Sequence, residues 1–321
     1  MKKLLPGFVA GWRWVRSITP LLLVLLVCGM AHAQGNFPSR SVAVTFDDLP
    51  GMGSLACQRA MVLDATHTLL AKVRAHDVPA IGFVNEGRPC PDIVEQVLGV
   101  WLDAGMNLGN HTATHPDLND LTVAAYQDDI VNGEPVTRRL LAEREGTLRY
   151  FRFPFLHAGD TSEKKAAIEV FLAERGYTIA PVTIDSDEWL FARAYALSYV
   201  RGVTANQQRR IEAAYIEWLE TVVAHFETWS IDVLGYEIPQ VLLLHANELN
   251  AATFDDIAGI FERRGYRFIT LDEALDDPAY SQRDLYVGRY GNSWLHRWAR
   301  GKGMEVRWEP DAPDWISAYG E

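Results

Sequence analysis

The chain has 321 residues, of which 48% are hydrophobic and 22% are charged, and its formal net charge is −12. This hydrophobic content is enough for a sizeable buried core, which excludes intrinsic disorder as the main description of the chain. Nucleic acid is not an expected partner, because its phosphate backbone requires a basic protein surface. The three cysteines are too few for a small disulfide-stabilised scaffold.

Residues 1–33 have the composition of a signal peptide. They contain four basic residues and no acidic residue, and an apolar run at 21–27 precedes the small residues Ala31 and Ala33 of a cleavage pattern. The apolar run is short for a membrane span, and an uncleaved anchor is the alternative interpretation. Cleavage after Ala33 predicts a periplasmic or secreted protein with no further membrane insertion.

Removal of this predicted signal peptide changes the charge and the cysteine count. The loss of four basic residues takes the formal charge from −12 to −16. Cys28 leaves with the signal peptide, so that Cys57 and Cys90 remain. Two cysteines suit one disulfide in an oxidising compartment, but whether they bond depends on a geometry that sequence does not give.

Short apolar runs alternate with helical patterns from residue 41 onward. Runs rich in β-branched and aromatic residues predict seven strands, at residues 41–46, 79–84, 106–109, 148–151, 177–184, 239–244 and 266–270. Apolar residues with a helical period predict helices between them, at residues 62–73, 93–102, 121–144, 162–175 and 254–261. The alternation predicts an α/β fold with a parallel sheet, and seven strands favour a (β/α) barrel over an open sheet.

Two segments depart from this alternation. An apolar stripe at residues 211–226 predicts that residues 190–238 are a helical insertion packed on the body of the domain. Residues 276–321 have no regular pattern and contain four tryptophans, which predicts an irregular C-terminal extension with these rings in the core or at its rim. We therefore expect one catalytic barrel at residues 34–275, which contains the insertion and precedes the extension.

Polar residues that bind metals or transfer protons follow five of the predicted strands. They are Asp47 and Asp48, His111 and His115, Arg152, the acidic residues Asp185, Asp187 and Glu188, and His245. The carboxyl ends of the strands form the active-site face of α/β barrels. We therefore expect these side chains to meet in a single site.

His111 and His115 have a spacing that suits metal binding. A separation of four residues places two imidazoles on one side of a helical turn, where both can reach one ion. A carboxylate at another strand end would complete a set of two histidines and one acid, which leaves a coordination position open for water, as in catalytic zinc sites. The alternative is a pair of ordinary surface or turn histidines.

Asp47 and Asp48 supply two carboxylates directly after a buried strand. The side chains of neighbouring residues in an extended chain point in opposite directions, so the two carboxylates are not expected to have the same role. One would bind the metal, and the other would accept a proton from water. The alternative is a helix cap or an Asx turn before Pro50 and Gly51.

Five short segments resemble the motifs of the polysaccharide deacetylases, carbohydrate esterase family 4, with their nodulation-type chitooligosaccharide deacetylase homology domain. The segments are residues 45–48 (TFDD), 111–115 (HTATH), 152–155 (RFPF), 185–189 (DSDEW) and 243–245 (LLH). They occur in the family's order and span most of the chain after the predicted signal. The resemblance implies a distorted (β/α)7 barrel and metal-dependent removal of acyl groups from sugars, usually N-acetylated amino-sugar polymers and in some members O-acetylated xylan.

The resemblance also implies a role for each matching residue. Asp48, His111 and His115 would hold the metal, which in this family is most often zinc. The same ligand set would also accept Co²⁺ or Ni²⁺. Asp47 would be the general base and His245 the general acid.

Further matches imply supporting roles around these groups. Arg152 would orient Asp47, and the backbone N–H of Phe155 would help to hold the oxyanion. Trp189 and Leu243 would wall the acetyl pocket. Glu188 stands where the family usually has the Asp that pairs with the acid histidine.

The chain departs from the family pattern at Leu49, at Glu188 and in its insertion between the fourth and fifth motifs, which is longer than usual for the family. Leu49 replaces the glycine that usually follows the two aspartates. Glu188 is one methylene longer than the usual aspartate, so that either the backbone retreats or Asp185 or Asp187 takes over the pairing with His245. Of the histidines outside the motifs, His157 is the one most suited to a role, because it lies just past the third motif.

The sequence therefore predicts an exported, metal-dependent hydrolase that removes acetyl groups from a carbohydrate, with the N-acetyl groups of an amino-sugar polymer as the expected target. The expected partner is an acetylated glycan of the cell envelope, such as peptidoglycan or an exopolysaccharide that contains N-acetylglucosamine. Two alternatives remain open. One is a metal-independent amidase that cleaves a small non-sugar C–N bond, and the other is a catalytically inactive, glycan-binding relative.

Overall fold

A computed structural model describes residues 40–52, 58–87 and 91–319, apart from the side chains of residues 91 and 92. These residues all belong to one compact unit, residues 37–321. The predicted signal peptide at residues 1–33 lies outside the described residues, and so do Cys57 and Cys90. The cleavage site and the disulfide therefore stay predictions.

Seven parallel strands form one sheet around the central strand β1. The strands are β1 (Arg40–Leu49), β2 (Ile81–Val84), β3 (Asn107–Asn110), β4 (Tyr150–Phe151), β5 (Thr178–Ile179), β6 (Gln240–His245) and β7 (Tyr266–Phe268). Their order is β5-β4-β3-β2-β1-β6, and β7 also pairs with β1. The register of β1 and β6 places Asp47 opposite His245.

The sheet curls so that its two ends meet. The chain that leaves β5 forms a parallel bridge between Ile184 and Leu242 of β6. The backbone N–H groups of Thr183 and Ile184 both donate to the carbonyl of Val241 at 3.0 Å. Because β5 and β6 lie at opposite ends of the strand order, these bonds bring the sheet round into the distorted (β/α)7 barrel that the sequence predicted.

Helices cover the outside of the sheet. The helices are α1 (Arg59–Ala75), α2 (Pro91–Asp103), α3 (Val123–Asn132), α4 (Pro135–Ala142), α5 (Ser162–Glu174), α6 (Glu188–Val200), α7 (Ala205–Leu234), α8 (Glu248–Arg263), α9 (Leu271–Leu275), α10 (Trp294–Gly301) and α11 (Asp314–Tyr319). Phe46 of β1 packs against Trp101 of α2 and Phe254 of α8, with ring centroids 5.5 and 5.9 Å apart. A strand that is apolar on both faces is thus buried on both faces, as parallel sheets require.

Several strand boundaries differ from the sequence prediction. β1 extends to Leu49, so that Asp47 and Asp48 lie within its last residues and not after it. β4 and β5 contain only two residues each, against the predicted 148–151 and 177–184. β5 ends at Ile179 because the chain beyond it bonds with β6, and the pattern of apolar residues does not reveal such a change of partner.

The segment at residues 190–238 is helical, and it consists of most of α6 and all of α7. A capping box between Thr204 and Gln207 begins α7, and Gly235 ends it with a φ of 87°. The predicted apolar stripe, from Ile211 to Phe226, is buried against the body. This helix also reaches the carboxyl ends of the strands, because Trp218 Nε1 donates to the carbonyl oxygen of Ser186 at 2.8 Å.

The C-terminal extension is irregular apart from short helices. Residues 304–313 contain no helix or strand. Trp294 and Trp298 are buried, whereas Trp308 is about half exposed. Within the described part of the chain, no helix has the length and apolar character that a membrane crossing needs.

Candidate active site at the strand ends

The predicted site residues come together at the carboxyl ends of the strands. A cavity of about 460 Å³ opens there. The site residues that line it are Asp47, Asp48, His111, His115, Phe155, Trp189, Leu243 and His245. Arg152 and Glu188 lie behind this surface, and both are fully buried. All ten residues that the motifs singled out therefore belong to one site, as their places after the strands predicted.

Asp48, His111 and His115 present one ligand atom each to a common point. These atoms lie within 4.8 Å of one another. Asp48 Oδ1 is 3.4 Å from His115 Nε2 and 3.7 Å from His111 Nε2. Separations of this size fit three ligands around one divalent ion, since metal–ligand bonds are close to 2 Å.

The two histidines do not lie on a helical turn, and this part of the sequence prediction is wrong. Thr112 and His115 both have left-handed backbones, with φ of 68° and 60°. Asp129 of α3 stabilises this loop, because its carboxylate accepts from the backbone N–H groups of Ala113 and Thr114. The spacing brings the imidazoles together through a tight loop, so the ligand pair forms although the predicted geometry does not.

The tautomer of His111 suits metal binding. Its Nδ1–H donates to the carbonyl oxygen of Arg152 at 2.8 Å. Burial, followed by the neighbouring His115, lowers the pKa of His111 well below its ordinary value. The ring is therefore neutral, and Nε2 offers its lone pair on the side of Asp48. A carbonyl that orients a ligating histidine is a regular feature of metal sites.

The carboxylate of Asp47 lies beside these ligands, 3.7 Å from His111 Nε2, and bonds to a buried arginine. Its two carboxylate oxygens accept from Arg152 Nη1 at 3.1 and 3.2 Å. The guanidinium is held in turn by the carbonyl of Ala180 and the hydroxyl of Thr45. Burial raises the pKa of Asp47 to about 6, although the charge of Arg152 opposes this rise. The carboxyl is thus a base whose pKa lies close to neutral pH.

Glu188 is the acidic residue that pairs with His245. Its Oε2 accepts from His245 Nδ1 at 2.6 Å. Its other oxygen accepts from Asn247 and Asn250 at 2.6 and 2.9 Å. Burial acts to lower the pKa of His245, but the hydrogen bond and charge of Glu188 outweigh burial and raise this pKa to about 9.

The longer side chain of Glu188 is accommodated by its neighbours. Glu188 is the first residue of α6, after Asp187 in a left-handed conformation with a φ of 49°. Asn250, which binds Glu188, is itself positioned by the hydroxyl of Tyr215 on α7 at 3.1 Å. The helical segment at residues 190–238 therefore supports the pair of Glu188 and His245 from behind.

Asp185 and Asp187 have other surroundings. Asp187 Oδ1 accepts from the indole N–H of Trp189 at 3.2 Å. Burial, followed by the charge of Asp187, raises the pKa of Asp185 to about 6. Both residues line the cavity beside Trp189.

An aromatic rim surrounds the mouth of the cavity. The side chains of Phe155 and Trp189 are 53% and 44% exposed. Tyr290, from the C-terminal extension, is 77% exposed and lines the same cavity with Gly291. Large exposed rings around a polar cleft suit the apolar faces of sugar rings.

Sequence reasoning missed Tyr290 and Gly291. They lie in a segment without motif or period, so that only the folded chain reveals their position. His157 also lines the cavity, and its Nδ1 is 2.8 Å from Asp117 Oδ1. Its place next to the third motif was the available signal for His157.

Gly291 fits against the backbone that carries the predicted oxyanion donor. Phe155 has a left-handed backbone, with a φ of 57°. A Cβ atom added at Gly291 would lie 1.9 Å from the carbonyl oxygen of Phe155. Only glycine permits this approach, so that the extension contacts the third motif directly.

Known proteins are similar to this chain in sequence and in fold. The family model for polysaccharide deacetylase matches residues 34–169. The peptidoglycan-N-acetylglucosamine deacetylase of Bacillus cereus is 24% identical over 246 residues, which are 74% of this chain and 69% of that protein. Residues 34–169 are therefore similar to the polysaccharide deacetylase family.

Solved structures with the same fold include the polysaccharide deacetylase Bc1974 from Bacillus cereus. It superposes with a TM-score of 0.51 and 18% identity, over 72% of this chain and 91% of that chain. BA3943 from Bacillus anthracis, described as a pseudoenzyme of carbohydrate esterase family 4, has a TM-score of 0.48 and 18% identity, over 74% of this chain and 66% of that chain.

Proposed function

We propose that this protein is a metal-dependent hydrolase that removes acetyl groups from a carbohydrate, and that its target is the N-acetyl group of an amino-sugar polymer. One observation carries the proposal. A cation-binding trio, a base held by Arg152 and an acid held by Glu188 all face one cavity. Metal-dependent hydrolysis of an amide uses an ion, a base and an acid in this way.

Asp48, His111 and His115 fit a divalent metal by ligand chemistry and by geometry. Two neutral imidazoles and one carboxylate are a common zinc set, which Co²⁺ and Ni²⁺ also accept. A bound ion would polarise the acetyl carbonyl and lower the pKa of water. The hydrogen bond from His111 to the carbonyl of Arg152 holds one ligand in the tautomer that such a site requires.

Asp47 is the group that accepts a proton from the attacking water. Its carboxylate lies 3.7 Å from His111 Nε2 and therefore next to the predicted metal ligands. Arg152 fixes its orientation, and the aromatic ring of Phe83, 4.5 Å from the guanidinium carbon, covers Arg152 from the other side. A base that cannot rotate remains aimed at the water throughout the reaction.

His245 is the group that donates a proton to the departing amine. An amine is a poor leaving group unless it is protonated, and a histidine paired with a buried carboxylate stays protonated at neutral pH. The raised pKa of His245, about 9, fits this acid role. Asp47 and His245 are register partners on adjacent strands, so that both side chains reach the same cavity.

The remaining predicted residues would hold the acetyl group. The backbone N–H of Phe155 would donate to the oxygen on which negative charge develops, a contribution that in other hydrolases is worth about 10²–10³ in rate. Leu243 and Trp189 line the cavity as apolar walls for the methyl group.

The polymeric substrate is supported by the shape of the cavity mouth. Phe155, Trp189 and Tyr290 present exposed rings around the mouth of a cavity of about 460 Å³. A relative with 24% identity is named for peptidoglycan N-acetylglucosamine. The acidic chain favours a neutral glycan over an anionic one. With residues 1–33 as a signal peptide, the proposed workplace is the periplasm or the exterior of the cell.

The test is acetate release from chitooligosaccharides, peptidoglycan, poly-N-acetylglucosamine and acetylated xylan, each with zinc and with a chelator. We expect chelator-sensitive release from one of the amino-sugar substrates. The substitution His111→Ala is expected to lose both the metal and the activity, whereas His67→Ala, on the exposed face of α1, should keep both. Release that survives chelation would favour a metal-independent amidase, and glycan binding without release would favour an inactive relative.

A further inference from the structure

A second group of metal-ligating side chains lies away from the candidate active site. It consists of His225 on α7, His296 on α10 and Glu309 in the irregular part of the C-terminal extension. One ligand atom of each lies within 4.8 Å of the others. His296 Nε2 is 3.5 Å from Glu309 Oε2. We name these three residues the extension cluster.

Two side-chain atoms of the extension cluster are buried without a hydrogen bond among the described residues. His225 Nε2 and Glu309 Oε2 are both inaccessible to solvent, and neither has a hydrogen-bond partner in the described part of the chain. Buried polar atoms normally have a hydrogen-bond partner, so two neighbouring residues that each bury an atom without one need an explanation. A cation between them would satisfy both at once.

The charges around the extension cluster favour a cation. His296 is buried, with 1% of its surface exposed. Glu309 has the acidic residues Asp185, Asp187 and Asp311 as charged neighbours. A buried carboxylate among acidic neighbours is unfavourable unless a positive charge compensates it.

The basic residues near the extension cluster have other partners. Arg307 forms an ion pair with Asp232 of α7 at 2.9 Å and stacks on the ring of Trp229. Arg300 lies over the ring of Trp308. The guanidinium groups therefore do not supply the charge that Glu309 needs.

An aromatic shell encloses the extension cluster. The ring of His296 packs against those of Trp308, Phe226 and Trp229, with centroids 4.9, 5.5 and 6.1 Å apart. An apolar shell of this kind lowers the local dielectric constant and strengthens the bonds between a cation and its ligands. The carbonyl oxygen of Arg307, 3.3 Å from His296 Nε2, adds one more oxygen beside the cluster.

We propose that His225, His296 and Glu309 bind a second divalent cation of the zinc class, which joins the C-terminal extension to α7. Two imidazoles and one carboxylate are ligands that zinc accepts. The site is structural in purpose, since residues 304–313 have no helix or strand to hold them. A bond from Glu309 through the ion to α7 and α10 would fix this segment by metal coordination.

Metal content of the full chain tests the proposal, after zinc loading and removal of weakly bound ions. The wild type is expected to retain about two zinc ions per chain, with one at each set of two histidines and a carboxylate. Glu309→Gln, which keeps the shape of the side chain, should retain only the ion at the candidate active site. Glu305→Gln, in an exposed position of the same segment, is the matched control and should equal the wild type.

The substitution His111→Ala separates the two sites. In this background, which lacks a ligand of the candidate active site, the chain should keep one ion, and the further change Glu309→Gln should remove it. His225→Ala tests the same ion from α7. If His111→Ala alone abolished zinc binding, or if Glu309→Gln and His225→Ala both kept the wild-type content, the extension cluster would not be a metal site.

Thermal unfolding gives a readout that is independent of activity. Zinc added to the chelated His111→Ala protein should raise its Tm by several degrees, because a ligand that binds only the folded state stabilises it. The same addition should leave the Tm of the double variant His111→Ala/Glu309→Gln unchanged. An equal rise in both proteins would show that zinc acts elsewhere, and it would overturn the proposal.

Discussion

The two walls of the candidate active site differ in origin and in character. The wall from the strand ends consists of buried ionic groups such as Asp47, Arg152 and Glu188, each tied by two or more hydrogen bonds. The wall from the C-terminal extension consists of Tyr290 and Gly291, and the tyrosine is 77% exposed. Buried charge thus belongs to the strand-end wall, whereas the extension wall presents an exposed tyrosine ring.

Because of this difference, we expect the two walls of the cavity to have different functions. Proton transfer and ion binding need fixed geometry and perturbed pKa values, which buried strand ends provide. Recognition of a polymer needs exposed surface, which a loop can supply and vary. We therefore expect changes on the strand-end wall to reduce the catalytic rate, and changes on the extension wall to weaken substrate binding.

Asp47→Asn should have the largest effect on kcat, and it tests the catalytic role of the strand-end wall. The amide keeps the size of the side chain but cannot accept the proton, so kcat should fall by about 10²–10⁴. Metal content should not change, because Asp47 is not one of the three predicted ligands. Assays of kcat and zinc content on this variant and on the exposed control Asp64→Asn check the expectation. A near-normal kcat would refute the base role.

Gly291→Ala tests the division between the two walls most directly. Gly291 lies on the extension wall, but it contacts the backbone that carries the predicted oxyanion donor. The added Cβ would lie 1.9 Å from the carbonyl oxygen of Phe155. The backbone that bears the predicted oxyanion donor must then move, and kcat should fall by about 10²–10³. Gly301→Ala, where the added Cβ makes ordinary contacts, is the control. An effect on KM alone would mean that Phe155 N–H does not hold the oxyanion.

Glu188→Gln should change the pH dependence of the reaction. The hydrogen bond and charge of Glu188 raise the pKa of His245 to about 9, against the opposing effect of burial. Without that charge the pKa falls towards the ordinary value of about 6.5 or below, so the alkaline limb of kcat/KM moves to lower pH. At pH 8 the loss should be about tenfold or more.

Profiles of kcat/KM against pH for the wild type, Glu188→Gln and the exposed control Glu174→Gln test this expectation. An alkaline limb that stayed in place would assign the pairing role to another acid, despite the contact of 2.6 Å. A parallel loss at every pH, without movement of the limb, would make Glu188 a packing residue only.

Tyr290→Ala should have the smallest effect and should appear in KM. Loss of one ring that stacks on a sugar should raise KM about 2- to 10-fold, with little change in kcat. Tyr290→Phe keeps the ring and should restore the wild-type KM. The comparison uses a long and a short chitooligosaccharide, because the rim acts only on a substrate that reaches it. A fall in kcat with an unchanged KM would contradict the division between the two walls.

The site could be predicted from sequence where function depends on residue type and order. The motif residues lie at the carboxyl ends of parallel strands, and the alternation of strands and helices is enough to predict that they meet. The pairing of Glu188 with His245 could not be chosen over Asp185 or Asp187, because it depends on the start of α6 and on Asn247 and Asn250. Such contacts come from three-dimensional packing.

Local geometry was the least predictable part of the molecule. The loop of His111 and His115 has left-handed residues that a spacing of four does not reveal. Tyr290 reaches the cavity through long-range packing of a segment without any period. The spacing of apolar residues along the chain indicates which faces of helices and strands are buried. The histidine loop and the position of Tyr290 instead depend on irregular backbone that contacts residues distant in the sequence.

The position of Tyr290 and Gly291 in the chain has a consequence for proteolysis. Both residues lie in a stretch, 282–293, that contains no helix or strand, and the five motifs all precede it. Proteases cut such stretches most readily. One cut before Tyr290 would break the chain between this ring and the barrel, and it would leave the residues of all five motifs on the larger fragment. Proteolysis there would thereby change the mouth of the cavity and leave the strand-end residues intact.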